Sequence, residues 1–86
     1  MEAVLRACLA VGAALQALHL GAPGPVVVAS LDQAGAAVRD LQSPGFAGEL
    51  RGVLDEIDRC RRDGDCASAR LDKAVETAVH ALAAQR

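Results

Sequence analysis

Residues 44–62, PGFAGELRGVLDEIDRCRR, determine the fold more clearly than any other stretch of this chain. The apolar side chains in this stretch recur at alternating spacings of four and three: Phe46, Leu50, Val53, Ile57 and Cys60. Because residues three and four apart share one face of a helix, this spacing predicts an amphipathic helix. Serine suits the N-cap and proline the first helical position, so Ser43-Pro44 places the start of this helix at residue 44.

The same apolar spacing recurs on both sides of this stretch and predicts three further helices, at about residues 3–20, 26–42 and 66–85. Their apolar stripes are Val4, Cys8, Val11, Leu15 and Leu18; Val27, Leu31, Ala34, Val38 and Leu41; and Leu71, Val75, Ala78 and Leu82. A turn as short as residues 63–65 makes the two helices that it joins antiparallel neighbours. We therefore predict an all-α fold, a small antiparallel four-helix bundle of two helical hairpins, with residues 1–86 forming one domain.

Two starts are possible for the second helix. Residues 21–25, GAPGP, end the first helix because prolines and glycines interrupt a helix at this density. Pro25 could then occupy the first turn of the next helix. Alternatively, Ser30 is the N-cap with Gln33 completing a capping box, which leaves the β-branched residues 26–28 extended.

Charge is distributed unevenly between the two halves of the chain. The 86 residues carry 20 charged side chains with a formal net charge of −2, but residues 1–43 hold only Glu2, Arg6, Asp32, Arg39 and Asp40. The first helix also has leucines outside its apolar stripe, and a helix that is apolar on most sides is normally buried on most sides. We therefore predict that its outer face meets another chain, through Leu5, Leu9, Gly12, Gln16 and Leu20.

Several function classes find no support in the sequence. No basic stripe interleaved with aromatic residues is present, which argues against nucleic-acid binding. Arg6 interrupts the first apolar run and Glu2 is the wrong charge for a signal peptide, so no membrane role and a cytoplasmic location are expected. Neither a nucleophile pattern, a phosphate loop nor a metal-ligand spacing occurs, so we expect no catalysis, no metal and no cofactor. The Ala-rich composition, with many glycines and arginines, is typical of a bacterial protein from a GC-rich genome.

The three cysteines offer an alternative function. Cys60 and Cys66 flank the turn at residues 63–65, where their Cα atoms could fall within disulfide distance. The odd number of cysteines favours free thiols in a reducing compartment instead. Both states remain open, and a thiol-based redox or metal-responsive regulator built on Cys60 and Cys66 is the alternative to an interaction protein. Cys8 is predicted to act as a small buried apolar residue.

Two segments resemble known families. Residues 29–32, ASLD, are similar to the Asp-Ser-Leu stretch of acyl carrier proteins, which implies phosphopantetheine on Ser30 at the start of the second helix. Residues 50–83 resemble the helical hairpin of small co-chaperones that hold needle subunits in type III secretion. This second resemblance implies a role in binding another protein's helix.

Taken together, these patterns predict a non-catalytic helical interaction module of the adaptor, co-chaperone or scaffold kind. We expect it to bind a second copy of itself, forming a homo-oligomer, or a partner helix. The expected mode is helix-on-helix packing through the uncharged N-terminal hairpin, with leucines as anchors and small residues that allow close approach.

Overall fold

The computed structural model describes residues 2–64 and 69–84, and it confirms an all-α fold. Within those ranges the chain forms four helices and no strand. The helices are α1 (Glu2–His19), α2 (Gly24–Arg39), α3 (Pro44–Asp63) and α4 (Ala69–Ala84). The predicted start of the fourth helix, at about residue 66, lies outside the described residues.

The second helix starts earlier than the Ser30 alternative requires. It begins at Gly24 with Pro25 in its first turn, so residues 26–28 are helical and Ser30 lies inside the helix. The extended alternative was therefore wrong. Proline lacks the backbone N–H that a first helical turn leaves unpaired, and this local fit outweighs the β-branched preference for extended structure.

Two glycines end helices in the left-handed conformation. Gly21 has a φ of 70° and follows α1, while Gly64 has a φ of 73° and caps α3. The Gly64 N–H donates to the carbonyl oxygen of Cys60 at 2.9 Å, which satisfies one of the carbonyls that a helix end leaves free. Only glycine adopts this φ without strain, so these two positions set the lengths of α1 and α3.

The core is centred on α3. All five residues of its predicted stripe are buried: Phe46, Leu50, Val53, Ile57 and Cys60. The stripe of α1 is displaced from the prediction, because Ala7 and Ala14 are fully buried while Val4, Cys8, Leu15 and Leu18 are only partly buried. The two alanines form the face by which α1 approaches the rest of the molecule.

The packing of the four helices is uneven. α1 packs against α2 and α3, and α3 contacts all three other helices. By contrast, no Cα atom in the described part of α4 comes within 8 Å of α1 or α2. α4 is therefore attached to the molecule through α3, which leaves a gap between α1 and α4.

Ion pairs lie along the outer surface of α3. Asp58 accepts a hydrogen bond from Arg61 at 2.8 Å and pairs with Arg62 at 3.1 Å. The hydrogen bond from Arg61 and the positive charges of both arginines lower the pKa of Asp58 below its ordinary value, although desolvation opposes them. Between α3 and α4, Arg70 pairs with Glu56 at 3.1 Å.

Asp58→Asn is expected to lower the free energy of unfolding at neutral pH by less than about 1 kcal/mol, since the Asp58 side chain is 38% exposed and solvent screens the pair. A carboxyl whose pKa is lowered in the folded state stabilises the protein above its unfolded pKa. That contribution disappears as the pH falls through the folded pKa. Urea unfolding of both proteins should therefore show a difference at pH 7 that vanishes in acid. A difference that persists in acid would contradict the assignment of this effect to the Asp58 charge.

Candidate interaction surface

The outer face of α1 is an exposed, uncharged row of residues. Leu5, Leu9, Gly12, Gln16 and Leu20, which we call the α1 face, follow helical spacing and are all exposed. The three leucines are 60%, 65% and 75% exposed, the highest values among the large apolar residues in the described part of the chain. The structure thus places on the surface all five residues that the sequence predicts to meet another chain.

The α1 face continues to the end of its helix without a charge. Leu20 follows α1 but its N–H still donates to the Gln16 carbonyl oxygen at 2.9 Å, so the helical spacing holds there. The charges of α1, Glu2 and Arg6, lie in its first turns and pair with each other at 3.1 Å. By length and composition α1 is apolar enough to cross a membrane, properties that core helices and signal sequences share.

Gly12 lies in the middle of the α1 face. A Cβ atom built at this position would meet nothing within 4 Å, so no neighbour in the chain fills the space beside it. Glycine inside a helix is less favourable than alanine by about 1 kcal/mol. The gap at Gly12 leaves the α1 backbone open to close approach by another helix.

An apolar groove runs beside the α1 face, in the gap between α1 and α4. It has a volume of about 210 Å³ and is lined almost entirely by apolar atoms. Phe46 and Leu50 of α3 form its floor, Cys8 and Leu15 of α1 form one wall, and Val75 and Val79 of α4 form the other. Gly12 belongs to both the groove and the α1 face.

Sequence reasoning missed this groove. The predicted bundle places α4 against its neighbours, whereas α4 packs on α3 and leaves its other side open. The signal in the sequence that could have indicated this opening is Val79, which is apolar and lies outside the predicted α4 stripe. In the structure Val79 is 55% exposed. Together with Asp72 and Glu76 it forms a row at spacings of four and three along the α4 edge of the groove.

The cysteines lie apart from the α1 face. Cys8 is a free thiol that is only partly buried, and burial raises its pKa, so it forms the reactive thiolate less readily. Cys60 is buried at the C-terminal end of α3 and is not a free thiol. Cys66 lies outside the described residues, so the Cys60–Cys66 pairing stays a prediction. Thiol titration of the unfolded, unreduced protein tests this pairing. One reactive cysteine, Cys8, is expected if Cys60 and Cys66 are bonded, and three are expected if they are not.

The other candidate residues do not gather into a site. Ser30 is partly buried inside α2, six residues after the helix begins, which differs from the helix-start position that the carrier resemblance implies. A polar hollow of about 280 Å³ lies between α2 and α3, beside Asp32, Asp58 and Arg61. In residues 2–64 and 69–84, no group of three His, Cys, Asp or Glu side chains is placed to hold a metal ion.

No family model, no curated protein and no solved structure matches the chain. The geometry of the α1 face and of the groove is therefore the basis for a functional proposal.

Proposed function

We propose that this protein is a non-catalytic helical interaction module that associates with a second copy of itself through the α1 face. The observation that carries the proposal is the exposure of Leu5, Leu9 and Leu20 on a helix that has no charged residue after Arg6. Apolar side chains in such a row lose contact with water when a second helix packs over them, which favours association. An uncharged surface also repels a second copy of itself less than a charged one does.

The residue order of the α1 face favours an antiparallel pair. If a second α1 runs in the opposite direction, with the two-fold axis between Gly12 and Ala13, then Leu5 lies opposite Leu20 and Leu9 lies opposite Gln16. The axis falls where α1 has its smallest side chains, so the backbones can approach closely there. An interface around a two-fold axis must be complementary to itself, and this row meets that requirement.

The size of the α1 face indicates a weak pair. A helix of 18 residues is about 27 Å long and about 10 Å wide, so one face covers about 270 Å² in projection. Standard protein interfaces bury about 800 Å² on each partner. We therefore expect a dimer in exchange with monomer, with a dissociation constant in the micromolar range or weaker.

The proposal includes the arrangement of the helices and the location of the protein. The hairpins α1–α2 and α3–α4 form an antiparallel bundle that is open between α1 and α4, as the packing of α4 on α3 supports. We place the protein in the cytoplasm, and the exposed pair of Arg6 and Glu2 supports an N-terminal end of α1 that stays in water and outside a membrane. The functional role is that of a small adaptor or co-chaperone.

Light scattering over a dilution series tests the proposal. The average mass is expected to rise with concentration from 8.8 kDa towards twice that value, and to fall again on dilution. A mass that stays at 8.8 kDa up to millimolar concentration would contradict self-association. Co-sedimentation with lipid vesicles distinguishes self-association from insertion of α1 into a membrane. An inserted α1 would bind the protein to vesicles at any protein concentration.

A further inference from the structure

We infer that the groove between α1 and α4 binds an amphipathic helix of a partner protein, one that carries Lys or Arg along the flank facing α4. This inference rests on the proposed function, since it assigns a second partner to the same interaction module. It uses a different surface, however, because the groove shares only Gly12 with the α1 face.

The shape of the groove favours inserted side chains over an enclosed small molecule. Its volume of about 210 Å³ is below the 300–1,000 Å³ that is usual for small-molecule pockets. α4, which forms one wall, has 16 residues and is about 24 Å long, or more than four helical turns. A partner helix lying over the groove can therefore insert one row of apolar side chains between Leu15 and Val79 and contact Phe46 at the floor.

The two edges of the groove differ in charge. Along the α4 edge, Asp72 and Glu76 are exposed and stand in one row with Val79. Neither carboxylate forms an ion pair with another side chain in the described part of the chain. On the α1 edge, Gly12 lines the groove and Gln16 follows it on the α1 face, and both are uncharged. A helix that fits both edges has cationic residues beside α4 and uncharged residues beside α1.

The apolar lining and the acidic edge together define the partner. A free fatty acid would bring a carboxylate towards Asp72 and Glu76, where like charges repel. A second copy of α1 is a poor match too, because its one arginine, Arg6, is already paired with Glu2 at 3.1 Å. Lysine and arginine are suited to this position, since their long stems cover apolar surface while their charges stay in water.

Two synthetic helical peptides of 18 residues test the inference. Both carry leucines in one row at spacings of three and four, and one flank of that row carries lysines in the first peptide and glutamates in the second. Each is labelled with fluorescein and titrated with the protein while fluorescence anisotropy is measured. We expect the lysine peptide to bind about tenfold more tightly than the glutamate peptide, with a smaller ratio at high salt.

Two variants assign this binding to the groove. Val79→Asp is expected to weaken binding of the lysine peptide at least tenfold, because it places a charge on the apolar wall. Val79 is 55% exposed in the free protein, so the variant should fold, which circular dichroism checks. Val26→Asp is the matched control on α2, where Val26 is 48% exposed and lies outside the groove. Glu76→Lys is expected to reverse the preference between the two peptides.

Equal binding of the two peptides, or unchanged binding by folded Val79→Asp, would overturn the inference. Failure of the groove and failure of the α1 pair are distinguishable. Leu9→Asp alters the α1 face alone and is expected to leave peptide binding unchanged, whereas Val79→Asp is expected to leave the mass in light scattering unchanged.

Discussion

Replacing Phe46 with alanine is expected to lower the melting temperature by at least about 12 °C. Phe46 is the only aromatic residue of the chain, is 2% exposed and lies at the floor of the groove in contact with the core. Substitution of a buried phenylalanine by alanine costs about 3–5 kcal/mol, and in a domain of this size 1 kcal/mol corresponds to about 4–8 °C. Thermal unfolding followed by circular dichroism measures the effect.

The control for this effect is Val26→Ala. Val26 is 48% exposed in the first turn of α2, so its truncation leaves no cavity, and alanine is a better helix former than valine. Its melting temperature should stay within about 4 °C of the unaltered protein, the change that 1 kcal/mol produces. If Phe46→Ala changed the melting temperature as little as Val26→Ala, the core would not be centred on α3 as described.

Leu9→Asp is expected to raise the dissociation constant of the dimer at least about 100-fold. Leu9 is 65% exposed in one copy and lies near the middle of the α1 face, so the substitution has little effect on the fold of the monomer. In a two-fold pair each substitution appears twice, so two carboxylates enter an apolar contact where the partner presents the uncharged Gln16. Sedimentation equilibrium of the two proteins at matched concentrations measures the change.

Val26→Asp is the matched control for Leu9→Asp as well. It adds the same charge at an exposed aliphatic residue, but on α2 and outside the α1 face. It should associate like the unaltered protein. Equal weakening by both variants would mean that net charge, and not the α1 face, controls association. Unfolding of Leu9→Asp at low concentration would show instead that Leu9 belongs to the core of the monomer.

The sequence predicts α3 well because the apolar and the charged side chains of this helix are clearly separated. Five large or sulfur-containing apolar residues recur on one face of α3, with charged residues on the opposite face, and all five are buried. The exposure of the α1 face could also be predicted, since Leu5, Leu9 and Leu20 lie beside the stripe and not within it. Both predictions depend on helical periodicity, which is a local property of the chain.

Features that depend on how helices pack could not be predicted in this way. Ala7 and Ala14 carry little hydrophobic signal in an alanine-rich chain, yet they are the most buried residues of α1. The separation of α4 from α1 follows from packing distances across the molecule, which periodicity does not encode. The groove and the exposure of Val79 follow from that separation, so they are properties of the tertiary structure and not of the helical pattern.

Isotope-filtered NMR spectroscopy on a mixture of labelled and unlabelled protein tests the antiparallel α1 pair most directly, because it records contacts between copies without altering a residue. At a concentration where dimer is present, we expect intermolecular nuclear Overhauser effects between the methyl groups of Leu5 in one copy and those of Leu20 in the other. Leu9 should likewise show them to Gln16. Intermolecular effects that connect Leu5 with Leu5, or that avoid the α1 face, would contradict the account.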